Sequence, residues 1–339
     1  MTVAKIRLGM VGGGQGAFIG AVHRIAARLD NRYELVAAAL SADAKRATES
    51  AAEVGIASAR SYTDFRVMAK KEASRKDGIE AVVIVTPNHL HFDAARAFLE
   101  AGIHVICDKP LTSTLEDAEI LVKLVAERDL LFAVTYNYSG YPMVREAREM
   151  ISAGALGAIR VIQIEYAQDW LATNIETTGQ KQATWRTDPA RAGAGGAIGD
   201  IGSHAFHLSE FLSGLEVTSL LADLDAFLAG RTPCDNPPLL PHFNNGATAM
   251  LWVRPVATGS RRRRAPFGRA HHPHRAHGLG PGVLQPGAHQ NSAQRMGDEM
   301  HAIVAAFCHR VRQGLRHQFL DRGFSRRIAH VDHPVALRL

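Results

Sequence analysis

A glycine-rich turn constrains this chain more than any other feature. Residues 6–11 (Ile-Arg-Leu-Gly-Met-Val) make a short, mostly apolar run of strand length, and Gly12-Gly13-Gly14-Gln15-Gly16-Ala17 follows directly. Beyond it, Phe18, Val22, Ile25 and Leu29 recur at helical spacing. Gly12-x-Gly14-x-x-Ala17 fits the G-x-G-x-x-G/A pattern. There the first glycine permits a tight turn and the second lets the backbone approach a pyrophosphate. A small third residue lets helix and strand pack closely. A glycine cluster alone is only a turn, but between a strand and a helix it points to a dinucleotide held at the helix N-terminus.

The same rhythm continues. Apolar runs at 33–40, 81–85, 104–107 and 131–134 predict strands, and the intervening periodicity predicts helices at 17–29, 44–54, 92–100 and 115–128. Strands alternating with helices imply an α/β fold, a Rossmann-type doubly wound parallel sheet with helices on both faces. After Tyr138 the pattern changes. A helix at 143–151, an alternating strand at 159–166, a polar stretch over 168–196, a helix at 200–212 and strands at 217–221 and 247–253 predict a second, α+β domain. The expected division is 1–138, 139–253 and a third segment, 254–339.

That third segment differs in charge. The chain carries 39 Lys and Arg against 33 Asp and Glu, a net +6. Residues 1–253 hold 24 against 29, and residues 254–339 hold 15 against 4, with no lysine. Arg261–Arg264 opens an Arg-, His- and Pro-rich stretch. A solvated or disordered arm and a nucleic-acid-binding arm are two readings, although no aromatic residues interleave as a single-strand platform needs. Such a composition is also what a GC-rich coding strand yields when read out of frame, so a frame slip shortly after Trp252 is a third. Against a random tail, Met296, Met300, Ile303, Val304, Phe307 and Val311 keep helical spacing. Three scattered cysteines suit neither a disulfide framework nor a zinc site. No apolar run is long enough to span a bilayer, and the first residues do not resemble a signal peptide. A cytoplasmic protein is expected.

Four clusters carry chemistry. At the end of the second strand, Ser41 leaves room for a ribose 2′-phosphate and Lys45 or Arg46 could pair with it, which favours NADP; Asp43 keeps NAD open. Thr86-Pro87-Asn88 follows the third strand. Asp108-Lys109-Pro110 follows the fourth, where open α/β sheets place ligands. Finally, Asp200, His204 and His207 share one face of a helix at i, i+4, i+7, opposite a buried stripe of Ile201, Ala205, Leu208 and Leu212. There an Asp can orient a His that shuttles protons. Asp200 as an N-cap and His204 as a structural histidine are the plainer readings, and no metal-site spacing is present. Trp170, Trp185 and Arg186 sit in the polar stretch that would face a substrate.

Together these residues resemble the Gfo/Idh/MocA oxidoreductases over residues 5–253. The motifs are the Gly12–Ala17 turn, Thr86-Pro87-Asn88 with His91, Asp108-Lys109-Pro110, Gly154–Gly157 and Asp200–His204. The resemblance implies a Rossmann domain and a second domain with a large open, mostly antiparallel sheet that covers the site and makes contacts between copies; past Trp252 that sheet would be incomplete here. It implies reversible oxidation of a sugar or polyol hydroxyl with NADP or NAD. Lys109 would hydrogen-bond the reacting oxygen, His204 would take its proton and Asp200 would assist. Thr86, Asn88, His91 and Asn137 would line the cofactor, with Pro87 and Asp108 in the same motifs. His207 stands where the family often has Asp, which leaves the substrate open. A cofactor-binding protein without catalysis is the alternative.

Overall fold

A computed structural model describes residues 4–192, 196, 198–222, 228, 238–254 and 256. Arg261–Arg264 and the spacing from Met296 to Val311 lie outside the described residues.

The first half is built from β1 (Ile6–Gly12), α1 (Phe18–Leu29), β2 (Tyr33–Ala39), α2 (Ala44–Glu53), α3 (Phe65–Ala73), β3 (Ala81–Val85), α4 (His91–Glu100), β4 (His104–Cys107), α5 (Leu115–Arg128) and β5 (Phe132–Val134). All five strands are parallel, in the order β2-β1-β3-β4-β5. Every residue of β3 is buried, because helices cover both faces. Successive side chains alternate sides. Val82 and Ile84 face a core with Met68, Phe98, Leu99 and Leu121. Val83 and Val85 face the other, with Ala51 and Ile19.

Helix α3 was not anticipated from sequence. Its start is set by Asp64, whose carboxylate accepts from the backbone N–H of Arg66 and Val67. Only Met68, Ala69 and Glu72 are buried along it. Glu72 would be an isolated buried charge, but Arg60 and the Tyr62 hydroxyl both bond its carboxylate.

The second half holds α6 (Pro142–Ser152), β6 (Val161–Ala167), α7 (Lys181–Arg186), α8 (Pro189–Ala192), α9 (Ser203–Ser213), β7 (Val217–Ala222), β8 (Pro238–Phe243) and β9 (Thr248–Arg254). Its described strands run in the order β6-β9-β8-β7. β6 and β9 are parallel, and the other two pairings are antiparallel. β8 was hidden by Pro238 and Pro241, which argue against an interior strand. Ile201 and Ala205 press on Leu251 and Val253 in this sheet's core. Leu208 and Leu212, expected in the same stripe, are only half-buried, while Ser209 and Phe211 are buried. The other face of the sheet is open: Val161 is 72% exposed and Met250 46%.

Candidate active site

β1 pairs with β2 on one side and β3 on the other. The crossovers after β1 and β3 therefore leave in opposite directions, and a crevice opens at the carboxyl ends of the strands. A cleft of about 510 Å³ occupies it, walled by the glycine turn, the loops after β2, β3 and β4, and α7 with Asp200.

The glycine turn is more demanding than its pattern suggests. Gly12 and Gly13 both have φ near +77° (78° and 76°), a region that disfavours side chains. A Cβ on Gly14 would fall 2.8 Å from the Leu40 carbonyl oxygen and 2.9 Å from Ser50 Oγ. Ala17 does not fill the close-packing position expected of it. It is the N-cap of α1, whereas a Cβ on Gly20 would lie 2.4 Å from Gly13 Cα. Helix and turn therefore meet at Gly20, three residues later than the pattern predicts. The first turn of α1 carries no side-chain cap and no acidic residue, so its N–H groups are left for an anion.

Gln15, Ser41 and Arg46 line the cleft, and Gly16 is exposed beside it. Lys45 lies apart: its side chain is 85% exposed and faces Glu49 at 4.0 Å. The Asp43 carboxylate caps α2, its Oδ1 accepting from the Arg46 backbone N–H at 2.8 Å. Ser41 Oγ accepts from the Asp43 N–H at 3.1 Å.

Thr86, Pro87, Asn88 and Asn137 also line the cleft. Among the described residues the buried Thr86 hydroxyl has no hydrogen-bond partner, so a ligand in the cleft would find a waiting donor. Asn88 Nδ2 donates to the Ala192 carbonyl at 3.2 Å and ties α8 to the first sheet. His91, expected to line the cofactor, is fully buried behind the wall instead. Its ring nitrogens sit 2.9 Å from the Thr86 carbonyl and 2.7 Å from the Pro110 carbonyl, so it ties two loops together. Burial lowers its pKa below that of an ordinary imidazole. His23 was missed by sequence reasoning. It lines the cleft from α1, one turn after Ile19, and the only signal was that spacing.

Beyond the loops lies a charged cluster. Asp108 is held by the Lys109 backbone N–H at 2.8 Å and the Thr135 hydroxyl at 3.1 Å. Lys109 Nζ donates to Asp200 Oδ1 at 2.8 Å and to the Asp200 carbonyl at 2.6 Å. Arg186 Nε reaches Asp200 Oδ2 at 3.3 Å, with its guanidinium 4.2 Å from the Trp185 ring. Burial disfavours the Asp200 carboxylate, but Lys109 and Arg186 outweigh it and hold the pKa at about 2. Asp200 sits in a π-helical turn, Ile198–Gly202, ahead of α9, and this wider turn alters the i, i+4 relation expected with His204. The structure thus engages Asp200 with Lys109 and Arg186, and His204 Nδ1 is buried with no partner among the described residues. Burial, then Lys109, push the His204 pKa down to about 3. Its ring lies 4.6 Å from Tyr138, while His207 stacks on Tyr136 at 4.4 Å, in the aromatic layer behind the cleft. Among the described residues no group of three His, Cys, Asp or Glu could hold a metal ion, and no helix is long and apolar enough to cross a membrane.

These residues fit a dinucleotide. The turn admits no side chain at Gly14, the N-terminus of α1 is uncapped, and the Thr86 hydroxyl waits in the wall.

Comparison with known proteins agrees. Residues 6–136 match the oxidoreductase family with an NAD-binding Rossmann fold, and residues 144–267 match the GFO/IDH/MocA C-terminal domain. The chain is 36% identical over 257 residues to an uncharacterized oxidoreductase, YfiI, of Bacillus subtilis, covering 75% of this chain and 65% of that one. It is 32% identical to levoglucosan dehydrogenase of Pseudarthrobacter phenanthrenivorans, over 74% of this chain and 59% of the relative. The chain therefore spans less than two thirds of both curated relatives. An inositol dehydrogenase homologue from Azotobacter vinelandii, solved with NAD+, superposes with a TM-score of 0.72 at 40% identity, covering 75% of this chain and 66% of that one. Both halves of the cleft, the turn that suits a pyrophosphate and the Lys109–Asp200 cluster facing it, thus fall within matched residues, and the chain belongs to the Gfo/Idh/MocA family.

Proposed function

We propose that this protein is a nicotinamide-dependent dehydrogenase that reversibly oxidises a hydroxyl of a sugar or cyclitol. The observation that carries the reading is Lys109 Nζ at 2.8 Å from Asp200 in a cleft whose other end is built for a dinucleotide. Held by the Gly12–Gly14 turn and the N-terminus of α1, a nicotinamide cofactor would supply a hydride acceptor in the oxidative direction and a donor in the reverse. Lys109 supplies an ammonium donor to the reacting oxygen, and Asp200 and Arg186 fix where that ammonium sits. His204, which burial keeps neutral and whose buried Nδ1 has no partner among the described residues, is the base this reading assigns to the hydroxyl proton, although its ring lies outside the cleft lining. Trp185 and Arg186 line the substrate end of the cleft. The test is oxidation of myo-inositol, levoglucosan and D-xylose with NADP+ or NAD+. A chain that binds NADPH yet oxidises none of them is the noncatalytic binder, and the dehydrogenase reading is then rejected.

Ser41, just after β2, and Arg46, on α2, both line the cleft and support NADP over NAD. A charge-assisted hydrogen bond contributes about 1.5–3 kcal/mol. Arg46→Glu is therefore expected to weaken NADPH binding about 10–100-fold and to leave NADH binding unchanged. Fluorescence titration checks this, and equal losses for both nucleotides would remove Arg46 from phosphate recognition.

The acid side of the oxidation profile follows from His204. Its neutral form is the base, and with a pKa of about 3 that form persists down to acidic pH. The kcat/KM for oxidation should stay flat from pH 7 to about pH 5, where an ordinary imidazole with a pKa near 6.5 would already have titrated. An acid limb between pH 6 and 7 would assign the base elsewhere.

The open face of the second sheet, with Val161 and Met250 exposed, supports contact between copies. Sedimentation velocity on the full chain should show a dimer or tetramer; a monomer at micromolar concentration would refute this.

A further inference from the structure

Helix α1 buries a histidine that no step described so far uses. The other buried residues of this helix, Gly20, Val22 and Ala26, carry no polar side chain. His23 lies among them at 7% exposure and, like Phe18, Ile19 and Val22, lines the cleft. Two neighbouring histidines are satisfied by backbone: His91 sits between two carbonyls, and His104 Nδ1 accepts from the Leu131 N–H at 3.1 Å. The His23 ring makes no hydrogen bond to any described residue. A buried polar ring left unpaired is costly, and one that faces a cleft has room for a partner from outside the chain.

The fold sets that ring at the Lys109 end of the cleft. The Asp108 N–H donates to the Ile84 carbonyl at 2.9 Å, so the pleat of β4 runs one residue past Cys107. Asp108 therefore projects to the same side of the sheet as Ile106, whose core cluster includes Ile19 of α1. Asp108 Oδ1 accepts from the Lys109 N–H and the Thr135 hydroxyl, which leaves Oδ2 without a partner among the described residues. Ser41 and Arg46 stand at the opposite end, because β2 and β4 flank the β1–β3 pair. Burial lowers the His23 pKa and Asp108 opposes the shift without reversing it. The ring is therefore neutral and offers one donor and one acceptor.

We infer that His23 hydrogen-bonds the carboxamide of the nicotinamide ring and so fixes that ring against α1 at the Lys109 end of the cleft. The inference rests on the nicotinamide-dependent reading above and assigns it a further cofactor contact. The chemistry of the wall selects the carboxamide. Phe18, Ile19 and Val22 suit a flat ring, and the carboxamide is that ring's one hydrogen-bonding substituent, a donor and an acceptor like the imidazole. A ribose hydroxyl is the better match for Asp108 Oδ2, which as a carboxylate oxygen can only accept.

The experiment is a pair of calorimetric titrations, with NADPH and with 2′-phospho-ADP-ribose, which is the same nucleotide without its nicotinamide. If wild type binds NADH more tightly, NADH and ADP-ribose take their place. His23→Leu should weaken NADPH binding about threefold to tenfold, the size of one neutral hydrogen bond, and leave 2′-phospho-ADP-ribose binding unchanged. His23→Gln, which keeps a donor and an acceptor, should recover part of that loss. Unchanged NADPH affinity in His23→Leu would overturn the inference. Equal losses for both ligands would also overturn it, because His23 would then support the turn beneath the pyrophosphate and not the ring. His23→Ala replaces the leucine variant if circular dichroism shows the latter unfolded. If neither folds, His23 is a structural histidine and the inference falls. A wild type that binds none of these nucleotides removes the cofactor reading itself, an outcome distinct from every result with the variants.

Discussion

Lys109→Met should lower kcat about 10²–10³-fold, the loss seen when a preorganised donor to a developing oxyanion is removed, while NADPH still binds. Methionine retains the length of the side chain and removes the ammonium. Among the described residues that ammonium makes two bonds, both to Asp200 and neither to the glycine turn. The cofactor end of the cleft therefore keeps its walls. Arg186 remains at 3.3 Å from Asp200, so the carboxylate stays paired and ionised. Stopped-flow or steady-state turnover, read beside a fluorescence titration with NADPH, separates the two ends. Turnover within tenfold of wild type would mean that Lys109 does not touch the reacting oxygen. Joint loss of turnover and NADPH binding would mean that Lys109 holds the cleft together rather than acting in it.

Gly20→Val should be nearly as damaging, at the other end. Any Cβ at this position would lie 2.4 Å from Gly13 Cα and 2.6 Å from the Gly13 carbonyl oxygen. Both are backbone atoms, with no flexible side chain to give way. Helix and turn must separate, at a cost of about 1–3 kcal/mol or more for overpacking. Valine also forfeits helix propensity, by a few tenths of a kcal/mol relative to alanine. The displaced turn carries Gly12 to Gly14, so NADPH affinity and thermal stability should fall together. Ala17→Ser is the contrasting variant. Ala17 is an N-cap without a side-chain bond, a position where serine is preferred, so that variant should keep both properties. If Ala17→Ser were the damaging change and Gly20→Val the mild one, the close contact would sit where the G-x-G-x-x-A pattern puts it.

That pair shows what was legible in the chain and what was not. The five parallel strands could be read because β3, buried on both faces, is one apolar run, and because Gly12 stands where β1 must turn. Helix α3 went unseen because its buried face is three residues wide and one of them is Glu72. Strand β8 went unseen because proline marks strand edges and ends more often than interiors, and Pro241 is buried against β7. Lys109, Asp200 and His204 were found as a group, but their pairing was not. A helix drawn at i, i+4 joins Asp200 to His204, whereas the π-helical turn hands Asp200 to Lys109 and Arg186. Likewise His91 lies one helical turn from the cleft wall in sequence, yet burial turned it to face two backbone carbonyls.

The parallel pairing of β6 with β9 also orders events during synthesis. The cofactor half has all five of its strands once Val134 is made. β6 must wait for β9, its parallel partner, which begins 87 residues after β6 begins, at Thr248. Ile201 and Ala205 pack on Leu251 and Val253, so the turn that presents Asp200 has no bed until that strand arrives. Long-range pairing of this kind forms late. A ribosome-bound chain halted between Val134 and Thr248 would thus carry a completed nucleotide half beside an unassembled catalytic half, able to bind cofactor before it can act on anything.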